Sequence, residues 1–300
     1  MVSPIISDQE RAATTGTLGY TQGIPFLGAD TAMSDVLKIR DDGHVRTIQL
    51  NRPERKNALN DALAWGIVNA VEDAAKDDEV WVLAITGTGD AFCSGLDLAG
   101  SGAEGESASR LSPQSKYLDD LGWVSRFPIN LRYGCDKPIV AGINGVAVGA
   151  GLSLAMSCDI RLMARSARLM AGYPRIGGSP DGGLTWTLAQ AMNYEQALRF
   201  LLENRTVQGD EARALNLVGE VVDDDKFDAR FAEYCQSLTK LSPITGRLSK
   251  RGVAAGTKDI DLEAQMRYEL QNIGRAFGSR DGKEARAAFM EKRPPVFEGR

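Results

Sequence analysis

The stretch PIVAGINGVAVGAGLSLAMSCDIRLMA, Pro138 to Ala164, decides the fold of this chain. Its first eight residues form an apolar run that ends in glycine, which indicates a short buried strand. Small residues follow, and a short helix is predicted from Gly149 to Ser157. The segment CDIRLMA then returns to a strand. Strand, glycine-rich turn, helix and second strand in this order are typical of an α/β protein.

The chain before this stretch continues the α/β pattern. From Val36, the segment VLKIRDDGHVRTIQLN alternates apolar and polar residues on both sides of Asp-Asp-Gly, which predicts a β-hairpin. A helix is predicted after Asn60, a favourable N-cap, because apolar residues then recur at intervals of four. The apolar run that ends at Gly87 predicts a further buried strand.

After Asp181 the pattern is helical almost to the C-terminus. Together these patterns predict one α/β domain with a C-terminal helical module of the kind that often serves oligomerisation. Residues 1 to 34 are rich in Gly, Thr and Ser and have weak periodicity, so we expect a flexible or peripheral extension. The stretch from Gly100 to Asp136 has no clear pattern and is expected to set substrate choice.

The composition excludes several functional classes. The 300 residues are 43% apolar and 25% charged, as in an ordinary soluble globular protein. A formal net charge of -5 without a basic stripe argues against nucleic-acid binding. The four cysteines are scattered without CxxC pairs, which argues for reduced thiols and against a disulfide framework or a zinc site. No apolar run approaches the roughly 18 residues that span a bilayer, and a signal pattern is missing, so we expect a cytoplasmic protein without a membrane partner.

His44 is the only histidine, and it lies in the predicted hairpin turn. A Ser-His-Asp triad and a metal site with several histidines are therefore excluded. Any acid–base chemistry must fall to a carboxylate, a tyrosine or a lysine.

Two glycine-rich segments, GDAFCSGLDL and NGVAVGAGLSLAMSCD, each follow a predicted strand. In the second, Gly149 and Gly151 flank Ala150 where a helix begins, so backbone N–H groups can approach a ligand closely. Two free N–H groups that converge on one point would form an oxyanion hole. Tight packing of glycine-rich turns is the alternative at this point. Dinucleotide binding is disfavoured, because the third glycine of that fingerprint and its acid about 20 residues further on are missing.

The segment IGGSPDGG, Ile176 to Gly183, contains a single acid, Asp181. Pro-Asp-Gly is a common turn signature, so Asp181 is either an ordinary turn residue or a group placed to move a proton. The residues alone leave both interpretations open.

Four segments together resemble the enoyl-CoA hydratase/isomerase (crotonase) family: NRPERKNALN, AFCSGLDL, KPIVAGINGVAVGAGLSLAMSCDIRLMA and PDGGLTWTL. The resemblance runs from about Val36 to the C-terminus. It implies an α/β fold built as a crotonase-like spiral of ββα units with a C-terminal helical trimerisation module. The implied organisation is an extension at residues 1 to 34, a spiral core with the CoA and acyl site at 35 to 235, and a helical module at 236 to 300.

The resemblance also implies the ligand and the assembly. The substrate would be an acyl-CoA thioester, with coenzyme A as part of the substrate and no other cofactor or metal, and the chain would form a homotrimer or hexamer. The family's oxyanion donors correspond to the backbone N–H groups of Leu96 and Ala150. The second position is usually Gly, so the donor is retained if the backbone angles at Ala150 suit a Cβ.

Five further residues correspond to family positions that contact CoA. Lys56, Ala58 and Leu59 correspond to the loop that holds the CoA nucleotide. Phe289 and Lys292 correspond to a C-terminal stretch that reaches CoA bound in a neighbouring subunit. Either lysine has the alternative of an ordinary solvated side chain. Four aromatic residues are expected either to line the acyl pocket or to belong to the core: Tyr117, Trp123, Phe127 and Trp186.

The family's hydratases place two glutamates around the double bond. At the corresponding positions this chain has Ser153 and Tyr173. Serine is too weak a base to activate water, and a tyrosine with a pKa of about 10 is poorly poised at neutral pH. Asp181 corresponds instead to the aspartate of the family's dienoyl-CoA and epoxyphenylacetyl-CoA isomerases. The resemblance thus favours Asp181 as the acid/base of a double-bond isomerase, with Ser153 and Tyr173 hydrogen-bonding the substrate or a water.

Three alternatives stay open. A hydratase would use Asp181 and Tyr173 in place of the glutamates. An aromatic acyl-CoA dehalogenase or hydrolase would use Asp181 as a nucleophile, although His44 is a poor candidate for the histidine that the family's dehalogenases require. An acyl-CoA-binding protein would have lost the chemistry.

Overall fold

The spiral implied by the resemblance is present in the computed structural model of the chain. The structure describes residues 36 to 99, 109 to 258 and 261 to 300. The predicted extension at residues 1 to 34 lies outside the described residues, as do residues 100 to 108 of the stretch expected to set substrate choice.

Two sheets form the framework of the described chain. Their strands are, in chain order, β1 (Leu37–Asp42), β2 (Val45–Leu50), β3 (Val82–Gly87), β4 (Ala91–Cys93), β5 (Ile139–Ile143), β6 (Val146–Val148), β7 (Ile160–Ala164), β8 (Arg168–Met170), β9 (Val207–Gln208) and β10 (Glu220–Val222). The larger sheet has the order β1-β2-β3-β5-β7-β10, and the smaller sheet has the order β4-β6-β8-β9.

Helices connect and follow these strands. They are, in chain order, α1 (Asp61–Lys76), α2 (Pro113–Tyr117), α3 (Gly122–Ile129), α4 (Ala150–Ser157), α5 (Leu184–Ala191), α6 (Tyr194–Glu203), α7 (Gly209–Ala214), α8 (Phe227–Leu238), α9 (Pro243–Gly256), α10 (Leu262–Gly278) and α11 (Arg280–Glu291).

Each turn of the spiral contributes one strand to each sheet and then a helix. The pairs β3–β4, β5–β6 and β7–β8 place their first strand in the larger sheet and their second in the smaller. Neighbouring strands of successive turns are parallel, whereas β1–β2 and β8–β9 are antiparallel. Because parallel strands end at the same edge, the loops that follow β4 and β6 are neighbours. The predicted ββα spiral is confirmed.

The local predictions at the N-terminal side are confirmed. β1 and β2 form the hairpin around Gly43, which has a φ of 56°. The side chain of Asn60 accepts a hydrogen bond from Leu63 N and so caps α1. The apolar face of α1 is buried, with Ile67 at 0% and Val71 at 1% exposure.

The stretch from Pro138 to Ala164 folds as β5, β6, α4 and β7. Its predicted strand, helix and second strand are confirmed. The strand β6 was not predicted, because it has only three residues and lies within a glycine-rich segment. All eight residues of α4 are buried, which explains why small and apolar residues fill it.

The chain after Asp181 is mainly helical, as predicted, but it also contributes the short strands β9 and β10, which were not predicted. The expected boundary at residue 235 falls inside α8, which runs without a break from Phe227 to Leu238. Helices α9, α10 and α11 follow it. Among the helices of the described residues, none combines the length and the apolar composition that a membrane-spanning helix requires.

A buried lysine fixes the end of α1. Lys137 is 1% exposed, and its Nζ donates to the carbonyl oxygens of Ala74 (2.6 Å) and Asp77. These carbonyls lie at the C-terminal end of α1, where a helix leaves its last acceptors unsatisfied. The ammonium therefore joins α1 to the start of β5.

Lys137→Met is expected to lower the free energy of unfolding by about 2–3 kcal/mol, because buried carbonyls would lose a charged donor. Urea denaturation measures the change. Lys76→Met is the matched control, since Lys76 is exposed at the last position of α1 and its loss should change the value by less than about 0.5 kcal/mol. Equal effects of the two substitutions would show that Lys137 has no special stabilising role.

Candidate active site

The two predicted oxyanion donors lie at neighbouring strand ends. β4 and β6 pair in parallel, Leu96 follows β4 and Ala150 follows β6. The two segments approach closely, because a Cβ built on Gly95 would lie 3.7 Å from Ala150 N and 2.7 Å from Val148 O. The peptide groups that carry the N–H of Leu96 and of Ala150 are therefore neighbours.

Neither of these N–H groups has a hydrogen-bond acceptor in the described part of the chain. The bridge between Leu59 and Leu96 consists of Leu59 N to Gly95 O (2.7 Å) and Asp97 N to Leu59 O (3.0 Å), so it does not use the Leu96 N–H. Ala150 is the first residue of α4, where an N–H has no acceptor within the helix. The positive end of the α4 dipole lies at the same point. Both donors are thus free to bind an oxygen atom of a ligand.

Glycines shape the turn into α4. Gly149 has a φ of 55° and a ψ of -126°. A Cβ on Gly151 would lie only 2.2 Å from Cys93 O. Ala150 itself has helical backbone and is 5% exposed. The backbone at Ala150 therefore accommodates a Cβ, which is the condition for keeping the donor at a position where glycine is usual.

Three residues predicted to take part in the chemistry are in direct contact. Tyr173 Oη donates to Asp181 Oδ1 at 2.7 Å. Ser153 Oγ lies 3.2 Å from Tyr173 Oη, 3.0 Å from Asp181 O and 3.2 Å from Gly149 O. Because the tyrosine gives its single proton to the carboxylate, serine must be the donor when it bonds to Tyr173. The serine hydroxyl has a single proton and donates to one of these acceptors at a time, while Ser153 N donates to Gly149 O at 2.9 Å. Ser153 thus joins the Asp181 loop to the peptide that carries the Ala150 N–H.

The environment of Tyr173 keeps its phenol protonated. Burial raises the pKa of Tyr173 well above its ordinary value, and the hydrogen bond to the Asp181 carboxylate raises it further. The hydrogen bond with Ser153 opposes this shift but does not cancel it. Tyr173 is therefore a donor, not a base, at neutral pH.

Glycines also place Asp181. Gly182 and Gly183 have φ values of 57° and 72°. A Cβ on Gly182 would lie 2.8 Å from the Ser153 Cβ, and one on Gly183 would lie 2.9 Å from the Pro128 Cγ. The loop therefore packs directly on α4 and α3, while the Asp181 side chain remains exposed. The carboxylate is held by Tyr173 and accessible to a ligand.

The predicted CoA loop lies beside the Leu96 segment. Lys56 has a left-handed backbone, with a φ of 52°, and its half-exposed ammonium pairs with Asp90. Ala58 and Leu59 are 7% and 0% exposed. Their side chains belong to the core, so a contact with CoA would have to use their backbone.

Phe289 and Lys292 lie at the end of α11. Phe289 is 82% exposed, and Lys292 is the exposed C-cap with a φ of 56°. Both residues were predicted to contact CoA bound in a neighbouring subunit. The structure contains one chain, so this role stays a prediction.

The sequence did not single out three polar residues of this region, of which two are buried and Arg52 is nearly so. Arg52 pairs with Asp97 at 2.8 Å. Asn57 is fully buried and donates to Thr88 O and Ala91 O, at 3.0 and 2.7 Å. The segment NRPERKNALN contains Arg52 and Asn57 among several polar residues. Its sequence does not show which of these polar residues are buried.

The four aromatic residues differ in burial, and only Phe127 is a buried core residue; a role of the others in an acyl pocket stays a prediction. Phe127 is fully buried and belongs to the core, whereas Tyr117 is 89% exposed. Trp123 donates to Asp61 Oδ1 at 3.1 Å and packs against Phe127. Trp186 is 38% exposed and stacks with the Arg132 guanidinium.

His44 lies at the β1–β2 hairpin, as predicted. Its ring stacks on Trp81 with a centroid separation of 3.7 Å, and its Nδ1 bonds to Glu79 O at 2.8 Å. These contacts hold the ring at the hairpin.

Comparisons with known proteins agree with this architecture. The family model for enoyl-CoA hydratase/isomerase matches residues 40–300. A probable enoyl-CoA hydratase of Rhodobacter capsulatus is 34% identical over 253 residues, which cover 84% of this chain and 94% of that protein. A 1,2-epoxyphenylacetyl-CoA isomerase of Escherichia coli is 31% identical over 261 residues, covering 85% and 95%. The crystal structure of an enoyl-CoA hydratase from Bacillus anthracis superposes with a TM-score of 0.78 at 26% identity, covering 88% of this chain and all of that one.

The fold is therefore that of the crotonase-like acyl-CoA enzymes, with a parallel spiral and glycine-rich strand ends at the candidate site. The chain belongs to the enoyl-CoA hydratase/isomerase family.

Proposed function

We propose that this protein is an enoyl-CoA isomerase that moves a carbon–carbon double bond in an acyl-CoA thioester. The observation that carries the proposal is the 2.7 Å hydrogen bond from Tyr173 to Asp181. It leaves Asp181 Oδ2 without a hydrogen-bond partner among the described residues, and this oxygen is the proposed proton carrier. Relatives named as hydratases and one named as an isomerase are similarly close, so the choice of reaction rests on the site.

Among the described residues of the site, the alternative of hydration lacks a second carboxylate. Hydration needs one group to activate water and another to protonate carbon, and the site offers neutral Ser153 and Tyr173 beside Asp181. The nearby Asp97 is bound by Arg52, and Asp90 by Lys56. The nucleophilic alternative lacks a base for water, because His44 is engaged at the hairpin.

The mechanism begins with the thioester carbonyl between the N–H groups of Leu96 and Ala150. As a proton leaves the acyl carbon, negative charge develops on the carbonyl oxygen, and each donor can stabilise it by roughly 2.7–4 kcal/mol. Asp181 Oδ2 takes the proton and returns it to another carbon of the resulting enolate, so the double bond migrates. Tyr173 holds Oδ1 and thereby orients Oδ2 towards the substrate. Coenzyme A enters as part of the substrate, and none of these steps requires another cofactor.

The assembly is proposed to be a homotrimer or hexamer formed through the C-terminal helices. One face of α10 exposes apolar side chains at helical spacing: Leu262, Met266, Leu270, Ile273 and Phe277. Such a continuous exposed stripe is typical of a helix that packs on another chain. In that assembly Phe289 and Lys292 would reach CoA bound in a neighbouring subunit.

Mass spectrometry of an enoyl-CoA panel incubated with the protein in D₂O tests the proposed reaction. We expect deuterium incorporation and double-bond migration without addition of water. Addition of D₂O would establish a hydratase, and a covalent ester on the Asp181 peptide would establish the nucleophilic mechanism. Tight binding without any exchange across the panel would identify a binding protein.

A further inference from the structure

The predicted CoA loop and the oxyanion segment form one hydrogen-bonded unit. We name residues 56 to 59 the nucleotide loop and residues 94 to 97, which include Leu96, the donor segment. The two run side by side through three backbone hydrogen bonds: Ser94 N to Lys56 O (3.0 Å), Leu59 N to Gly95 O (2.7 Å) and Asp97 N to Leu59 O (3.0 Å).

The side chain of Arg52 spans both segments. Its Nη1 donates to Ala58 O at 2.5 Å in the nucleotide loop, and its Nη2 donates to Asp97 Oδ2 at 2.8 Å in the donor segment. The side chains of Arg52 and Asp97 are 13% and 6% exposed, so water competes little for this contact. The planar guanidinium fixes the relative position of the two acceptors through a rigid fork of donors, whereas the donors of an ammonium rotate about a flexible stem.

We propose that Arg52 and Asp97 are positioning residues that couple binding of the CoA nucleotide to the orientation of the Leu96 N–H. The inference rests on the proposed function, because it takes residues 56 to 59 to be the nucleotide site. Asp97 directly follows Leu96, and Gly95 O and Asp97 N both bond to Leu59, so a shift of Asp97 moves the donor segment that carries the Leu96 N–H. Nucleotide binding immobilises the nucleotide loop. Because Arg52 bonds to both segments, the donor segment is then held in place as well.

Through this coupling, the binding energy of the CoA nucleotide, which lies far from the reacting atoms, contributes to the chemical step. When the remote part of the substrate is removed, this interaction is lost, and kcat falls as well as the affinity. An enoyl-pantetheine thioester, which has the same thioester but no nucleotide, should therefore react with a kcat about tenfold or more below that of the enoyl-CoA.

Arg52→Lys tests the coupling, with Arg46→Lys as a matched control. Arg46 also bridges two acceptors, Asp41 and Asp77, and its side chain is 16% exposed at the opposite end of β2. We expect Arg52→Lys to lower kcat for the enoyl-CoA about tenfold towards that of the pantetheine thioester, whose own kcat changes little. Arg46→Lys should leave the ratio of the two kcat values as in the native protein. If Arg52→Lys lowers both kcat values equally, or neither, the coupling is refuted.

A second readout does not require turnover. The infrared stretching frequency of a ¹³C-labelled carbonyl in bound butanoyl-CoA and butanoyl-pantetheine reports how strongly the N–H groups polarise it. The native protein should shift the CoA thioester further than the pantetheine thioester, and Arg52→Lys should make the two shifts equal. Equal shifts in the native protein would overturn the inference even if the isomerase reaction is confirmed. Unequal shifts that Arg52→Lys equalises would support it even if the reaction proves to be another.

Discussion

Asp181→Asn is expected to lower kcat of the isomerase reaction by about 10³-fold and to leave KM within about threefold. Asparagine has the size of aspartate and the same preference for turns, so the loop between Pro180 and Gly183 should keep its path. Its amide oxygen can still accept the proton of Tyr173. What it lacks is a second carboxylate oxygen able to take a proton from carbon, so the loss should fall on the chemical step.

The measurement is steady-state kinetics together with deuterium exchange of the substrate in D₂O. Asp42→Asn is the matched control, because Asp42 is also an exposed acid followed by a glycine of positive φ, Gly43, in the β1–β2 hairpin. It should retain native kcat. If Asp181→Asn retains at least half of native kcat, Asp181 is an ordinary turn residue and the proposed mechanism fails.

Much of the architecture could be predicted because apolar periodicity reports burial. The spacing of Ile67 and Val71 identified the buried face of α1, and the apolar runs identified β3, β5 and β7. Burial of all eight residues of α4 explains why small residues follow Gly149 so regularly. The three-residue strands β4, β6, β8 and β10 escaped prediction, because a strand of that length shows no periodicity and depends on its neighbours for hydrogen bonds.

The candidate site could be predicted only in part. Tyr173 and Asp181 were singled out by position, but their relation depends on a loop whose glycines at 172, 177, 182 and 183 all have positive φ. The 2.7 Å contact makes Tyr173 a donor to Asp181, a distinction that residue types alone could not supply. Arg52 and Asp97 are 45 residues apart in the chain, so their pairing required the three-dimensional structure.

Gly95→Ala is expected to lower kcat by about 10²-fold or more, because it increases the distance between the two proposed oxyanion donors. Gly95 has a φ of 96°, which an L-residue with a side chain rarely adopts. A Cβ there would lie 2.7 Å from Val148 O, a backbone atom that cannot rotate away. The donor segment must then move away from β6, and the Leu96 N–H separates from the Ala150 N–H. Since each donor contributes roughly 2.7–4 kcal/mol at the transition state, even a partial loss of one should be large in kcat.

The control for Gly95→Ala must carry the same backbone strain without the clash, and Gly43→Ala does. Gly43 has a φ of 56°, and a Cβ built on it meets nothing within 4 Å. Gly43→Ala should lower the free energy of unfolding by about 1–2 kcal/mol, the penalty for a left-handed conformation, and Gly95→Ala should lower it further because of the clash. Only Gly95→Ala should lower kcat and reduce the infrared shift of the bound thioester carbonyl. A Gly95→Ala protein that is folded, binds butanoyl-CoA and retains native kcat would show that Leu96 is not an oxyanion donor. A loss of both the infrared shift and kcat at native binding affinity would place the Leu96 N–H on the thioester oxygen.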